Sequence, residues 1–166
     1  MIARRALLGS AGLALAFQMA RDARRVEASP SGDRLIQEPW FLQSFLDLPE
    51  DLATAAAAGK RLAVVWELSG CPLCHAMHRD SLSDAVAASW LRTRFDWVQL
   101  DIVGAREVTF PDGTRLSEKA QAIRVGVEGT PAIQVFGAGA REIGRLTGYP
   151  GPERFLAIFR RFAETV

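Results

Sequence analysis

Apolar residues along the chain fall into short runs separated by turn residues, and the runs follow two different periods. From Arg61 to Leu68, Leu62, Ala63, Val64, Val65 and Trp66 follow one another without a polar break, as in a strand buried on both faces. Phe95 to Val103 predicts a second strand. Pro131 to Phe136 and Arg141 to Leu146 flank Gly137-Ala138-Gly139 and predict an antiparallel pair closed by a turn. Helical spacing fills the intervals. Asp47 and Glu50 have capping-box spacing with Pro49 early in the first turn, so a helix should run through Ala58 and stop at Gly59. Ala76 to Ala88 reads mostly as helix, with a break near Ser81-Leu82-Ser83 and a second piece reaching about Arg94. Pro111-Asp112-Gly113 marks a small hairpin inside an excursion from Gly104 to Leu116, and Ser117 can cap a helix from Glu118 to about Arg124. Pro152 opens a final helix with Phe155, Leu156, Ile158, Phe159 and Phe162 on one side.

The order is helix, strand, helix, strand, helix, strand, strand, helix. A right-handed βαβ crossover followed by a β-hairpin gives an α/β fold: a mixed, four-stranded central sheet flanked by helices, with a small hairpin insertion. This domain is expected over residues 47–166. Ahead of it, residues 29–46 read as an N-terminal linker. Ser29 to Glu38 is polar, and Trp40, Phe41, Leu42, Phe45 and Leu46 form an apolar cluster expected to pack on the body.

Residues 1–28 have the pattern of an export signal. Arg4-Arg5 precede an apolar run from Ala6 to Ala20, too short for a membrane span of about 20 residues. Val26-Glu27-Ala28 before Ser29 is a usable cleavage site, and Ala14-Leu15-Ala16 is a second. An uncleaved anchor is the alternative. The expected location is the periplasm. Net charge is +1 over 166 residues, and the basic surplus lies in this segment, so the folding part is mildly acidic. That balance argues against a nucleic-acid surface.

The chemistry centres on Cys71-Pro72-Leu73-Cys74-His75, which holds the only two cysteines of the sequence. Two cysteines separated by two residues can close into a disulfide and open again, as a two-electron switch. The pair falls where a strand passes into a helix, and a helix N-terminus lowers the pKa of a thiol placed on it. A structural staple would close a loop of two intervening residues and restrain very little chain. The same residues have two other chemical uses. Cys-x-x-Cys-His is the attachment motif of c-type haem, with His75 as proximal ligand. Met77 is too near His75 to be a distal ligand, and Met1 and Met19 fall in the signal. Cys71, Cys74, His75 and His78 also offer copper or zinc ligands by composition, but His75 points about 100° away from Cys74 on a helix. Each histidine is by default a solvated or helix-face residue. No metal and no cofactor are expected.

With Cys71-Pro72-Leu73-Cys74 after the first core strand, Gly129-Thr130-Pro131 before the third, and Gly148-Tyr149-Pro150 before the last helix, residues 47–166 resemble the thioredoxin superfamily. The resemblance implies a cis Pro131 facing the cysteines. It also implies a substrate strand held at Thr130 and Pro131, with Pro72 and Leu73 lining the contact. The Cys-Pro-x-Cys-His core, Leu100-Asp101-Ile102, the Gly104 to Gly113 insertion and the Gly-Tyr-Pro tail are similar to the exported SoxW-type thioredoxins of bacterial sulfur oxidation. One departure bears on mechanism. Many thioredoxins carry a buried carboxylate six residues before the first cysteine, where this chain has Val65. Glu67 lies on the same face of the strand; it is either a proton acceptor for Cys74 or a solvated edge residue.

In the implied mechanism Cys71, exposed at the helix N-terminus, attacks a partner disulfide or persulfide, and the more buried Cys74 resolves the mixed disulfide. Pro72 and Leu73 place no cation between the cysteines, which favours a reductant over an oxidant. The expected partners are periplasmic protein thiols and disulfides, with a membrane thiol carrier as electron donor and the chain itself a monomer. A periplasmic oxidant or isomerase is the alternative.

Overall fold

The computed structural model describes residues 34–165. The export signal read over residues 1–28, its two cleavage sites and the start of the linker lie outside the described residues. The elements are α1 (Leu48–Ala57), β1 (Arg61–Glu67), α2 (Pro72–Met77), α3 (Ala85–Arg92), β2 (Phe95–Asp101), β3 (Glu107–Thr109), β4 (Arg115–Ser117), α4 (Glu118–Arg124), β5 (Ala132–Phe136), β6 (Glu142–Thr147) and α5 (Pro152–Glu164). Helix α2 runs directly into a π-helical turn, His78–Leu82. Ser81 and Leu82, where the break was expected, still belong to that turn; the break falls at Ser83 and Asp84, and the Asp84 side chain then caps α3 by accepting the N–H groups of Val86 and Ala87.

The central sheet has the order β2-β1-β5-β6. Strand β1 pairs parallel with β2 and antiparallel with β5, and β6 pairs antiparallel with β5. The mixed four-stranded sheet read from the sequence is therefore present. Leu62 to Glu67 are all buried, because each face of β1 meets its own core. Ala63 and Val65 face α2, α3 and α5, where Met77, Leu91, Trp97, Phe155 and Phe159 pack. Leu62, Val64 and Trp66 face α1, α4 and the hairpin, against Leu48, Leu52, Phe110 and Ala122. Gly144 lets α5 lie against β6, since a Cβ there would run into the Phe162 ring.

The hairpin β3-β4 pairs Glu107 with Ser117 and Thr109 with Arg115. Polar groups of α4 fasten it. Buried Glu118 accepts the Asp101 N–H at 3.0 Å and the Arg106 N–H at 3.2 Å, and it pairs with the Arg106 guanidinium. The Gln121 amide donates to the Val108 and Thr114 carbonyls.

Residues 36–42 run along the outer edge of β2. The Leu42 N–H donates to the Trp97 carbonyl and the Gln99 amide donates to the Ile36 carbonyl, which covers a strand edge otherwise open to other chains. Trp40 and Phe41 both pack on Trp97, Phe41 stacked on it at 5.8 Å and Trp40 edge-on at 5.7 Å. The apolar cluster thus packs as expected except at Phe45, which is fully exposed. The chain turns at Leu46, whose φ is 64°, and that turn buries Leu46 while Phe45 stays outside.

Phe159 touches Phe95, Trp97, Phe155 and Phe162 and is fully buried. Phe159→Ala should destabilise the fold by about 3–5 kcal/mol. Phe45→Ser should change stability by no more than about 0.5 kcal/mol. Urea unfolding of both variants checks the pair; similar losses at the two positions would contradict this packing.

Candidate functional site

Strand β1 ends at Glu67, and a turn with Gly70 at φ +75° brings the chain back to Cys71. The Cys71 N–H bonds the Leu68 carbonyl at 3.1 Å, which closes this turn. Cys71 is the N-cap of α2, with Pro72 at the first helical position, where a missing N–H is harmless. Its Sγ accepts the Cys74 N–H at 3.1 Å. A backbone donor aimed at a sulfur, together with the positive end of the helix dipole, stabilises negative charge on that sulfur. The two cysteines are joined in a disulfide, with Cα atoms 5.3 Å apart.

Cys71 is less open than the sequence suggested. It is 8 % exposed, against 3 % for Cys74. The Thr130 carbonyl oxygen lies 3.5 Å from the Cys71 Sγ and covers one side of it. The expected ranking of the two cysteines survives, but the exposure of Cys71 does not. Pro72 is exposed and Leu73 is 48 % exposed, so an apolar lip stands beside the sulfur pair. The Thr130–Pro131 bond is cis, and the Pro131 carbonyl accepts the Gly148 N–H at 2.8 Å. The structure therefore brings Cys71, Cys74, Pro72, Leu73, Thr130 and Pro131 to one place.

Glu67 and His78 depart furthest from a sequence reading. Glu67 is 1 % exposed and lies on a central strand, so the solvated-edge alternative is wrong. His78, expected on a solvated helix face, is 2 % exposed. It sits one turn after Cys74, at the start of the π-helical turn, a geometry that recurs at functional sites. Its Nε2 lies 2.9 Å and 3.2 Å from the two Glu67 oxygens, and its Nδ1 lies 2.7 Å from Glu38 Oε1. The Gln99 amide donates to Glu67 Oε2 at 2.6 Å, and the Ser83 hydroxyl donates to Glu38 at 2.9 Å. Burial works against a charged imidazole, but the Glu67 and Glu38 carboxylates outweigh it and raise the His78 pKa above its ordinary value. His75, by contrast, is exposed.

Sequence reasoning missed Glu38, Ser83 and Gln99. Glu38 stands at the end of a polar stretch and gives no periodic signal. Gln99 was visible as an amide in the middle of an apolar strand. Among the described residues, no cluster of three or more His, Cys, Asp or Glu side chains is arranged to hold a metal ion. His78 turns to the carboxylates, which separates it from the four-ligand set that composition offers.

A family model described as a thioredoxin-like domain matches residues 48–163. Among solved structures, the chain is similar to a thioredoxin from Thermus thermophilus, with 31% identity, 70% of this chain and 83% of that chain covered, and a TM-score of 0.53. A thioredoxin-fold protein from Helicobacter pylori is similar at 21% identity, covering 64% of this chain and 70% of that one, with a TM-score of 0.57. A DsbH oxidoreductase is similar at 16% identity, covering 81% of this chain and 95% of that one, with a TM-score of 0.54. At these two lower identities the likeness concerns the fold alone. No curated protein matches the chain significantly.

A raised folded-state pKa makes the contribution of His78 to stability fully present below its unfolded value of about 6.5, and that contribution is lost as pH rises through the folded value. The difference in urea-unfolding free energy between wild type and His78→Gln should therefore be largest near pH 6 and shrink towards pH 9. A difference that grows with pH would contradict the buried imidazolium.

Proposed function

The chain belongs to the thioredoxin-like domain family, and from that premise we propose that it is an exported reductant of disulfides or persulfides on periplasmic partner proteins. It is a thiol–disulfide oxidoreductase, with Cys71 and Cys74 within disulfide distance. The reductant reading is carried by the Cys71 sulfur. Among the described residues it accepts one backbone N–H, from Cys74, and the residues between the cysteines, Pro72 and Leu73, bring no cation. A strongly oxidising pair needs its reduced form stabilised by more than this, as a low thiol pKa and a high potential go together.

In this reading the Cys71 thiolate attacks a partner disulfide, and one partner sulfur leaves as a thiol. Cys74 then attacks the Cys71 Sγ, the bond to the partner breaks, and the second partner sulfur leaves reduced while the Cys71–Cys74 disulfide closes. The partner gains two electrons and the cysteine pair loses two. Thr130 and Pro131 hold the partner strand across from the sulfurs, and the lip of Pro72 and Leu73 contacts it. A membrane thiol carrier recharges the pair, and the chain works as a monomer. Support for export comes from the signal pattern of residues 1–28, and support for a SoxW-type role from the Cys-Pro-Leu-Cys-His core with the 104–116 insertion.

The reduction potential of the pair, equilibrated against thiol buffers, decides the direction. A value at or below about −230 mV is expected, and a value of about −120 to −180 mV would make the protein an oxidant or isomerase instead. Cys74→Ser should accumulate mixed disulfides with partners in the periplasm, and Cys71→Ser should accumulate none. Non-reducing gels of both strains read this directly, and an absence of adducts with Cys74→Ser would contradict the exchange mechanism.

A further inference from the structure

Residues 34–42 lie on the body without belonging to its sheet. Among the described residues, one backbone hydrogen bond joins them to β2, from the Leu42 N–H to the Trp97 carbonyl at 2.8 Å. Side chains make further ties: the Gln99 amide donates to the Ile36 carbonyl, and the Trp40 indole donates to the Leu82 carbonyl. The buried charge of the segment is Glu38, which meets the His78 ring and accepts from the Ser83 hydroxyl. Beyond Leu42 the chain is anchored elsewhere. The Ser44 hydroxyl donates to Asp51, and the Leu46 carbonyl accepts the Thr109 N–H at 2.9 Å. The segment also closes one flank of the redox site. Residues 34–36 form one wall of a cleft, and the turn 68–70 with Cys74 and His75 forms the other. Free space between these walls is about 10 Å³, at the lower limit for a single water.

Both ring nitrogens of His78 face carboxylate oxygens, Glu38 at 2.7 Å and Glu67 at 2.9 Å, and only an imidazolium donates from both. A neutral ring keeps one N–H and turns a lone pair towards the other buried carboxylate. That arrangement is costly until one carboxylate reaches water. Glu67 cannot reach it, because β1 is held between β2 and β5. Glu38 can, because its segment has few ties to the body. Other charged and titratable groups around the ring are engaged elsewhere or exposed. Arg79 pairs with Asp80, the Tyr149 phenol bonds the Ser81 hydroxyl, and Asp84 caps α3. On β2, Asp96 pairs with Lys60, and Asp101 accepts the Val103 N–H. Arg34, His75 of α2, Arg92 of α3 and the charged residues of α5 are exposed. Burial lowers the His78 pKa, and the Glu67 and Glu38 carboxylates raise it by more, so the docked ring titrates above its ordinary value.

We propose that His78 is a proton-operated clasp: protonated, it holds residues 34–42 on β2 and across the flank of Cys74; deprotonated, it releases Glu38 and the segment swings out about Ser44–Leu46. The ring's proton passes to water, and so does the freed carboxylate. Release uncovers the outer edge of β2 and opens the cleft beside Cys74, so access to that side of the redox pair depends on pH. The sign follows from the raised value in the docked state. Docking is fully supported below about pH 6.5 and weakens as pH rises through the docked value. The clasp is independent of the direction of thiol exchange.

Amide hydrogen exchange of the oxidised full chain between pH 6.5 and 9 reads the clasp. The reporter is the Leu42 amide, and the Val64 amide of β1 marks opening of the whole fold. Each measured rate is divided into the intrinsic rate of that amide at the same pH, so that protection reports the opening equilibrium. Leu42 protection should be lower than that of Val64 throughout, and it should fall by about tenfold or more between pH 6.5 and 9. In His78→Gln and in Glu38→Gln it should already be low at pH 6.5 and change by less than about threefold. Wild-type Leu42 protection that stays constant or rises with pH overturns the proposal. So does equal protection at Leu42 and Val64, since the segment would then open only with the whole fold. Both of these results come from the wild type and need no variant to fold. A pH dependence that persists unchanged in His78→Gln overturns it as well.

Discussion

Strand β1 lies between β2 and β5 with a core on either side, and the remaining structure depends on that two-sided burial. A one-residue slip would exchange the two faces and send Trp66 where Val65 and Glu67 now sit. Parallel pairing with β2 and antiparallel pairing with β5 fix the register from both edges. The strand therefore delivers its last residue, Glu67, and the turn that follows it to one defined point. That point is where α2 begins and where the cis Thr130–Pro131 peptide arrives at the start of β5. The redox pair owes its geometry to packing far below it.

The same turn gives the two cysteines different environments from equal chemistry. Cys71 is the N-cap, so its sulfur meets a backbone N–H and the positive end of a helix. Cys74 lies inside the first turn and is almost completely buried. One sulfur is thus set on the donor end of a helix and the other is enclosed, the division of labour that a two-step thiol exchange uses.

Much of this was legible in the sequence because it depends on local signals. The uninterrupted apolar run 62–66 announced a doubly buried strand, Ser117 and Asp47 announced helix starts, and Pro111-Asp112-Gly113 announced a hairpin. The observed elements follow these within a residue or two. The cysteine pair was legible because two residues of spacing at a strand-to-helix junction have few other uses. The Glu38–His78–Glu67 cluster was not legible, for a physical reason. Its members are 40 and 11 residues apart and come from a coil segment, a helical turn and a strand. No single periodicity records such a meeting. A carboxylate at the end of an apolar run and a histidine one turn past a cysteine each have an ordinary solvated explanation when taken alone. Phe45 illustrates the opposite error: its hydrophobicity argued for burial, and a single left-handed residue after it settled the matter otherwise.

The segment from Ile36 to Leu46 then takes on a different standing. By composition it reads as a connector ahead of the folded domain. In the fold it covers the open edge of β2, lays Phe41 on Trp97, and supplies the second carboxylate to His78. Without Glu38 the His78 ring would face one carboxylate instead of two. Without the Ile36 carbonyl, the Gln99 amide would lose one of the two acceptors that fix it beside Glu67. The apolar contacts of the segment and its polar contacts reinforce each other, since Trp40 and Phe41 set the register that brings Glu38 to His78. A stretch that connects two parts of the chain is in this way also a wall of the site.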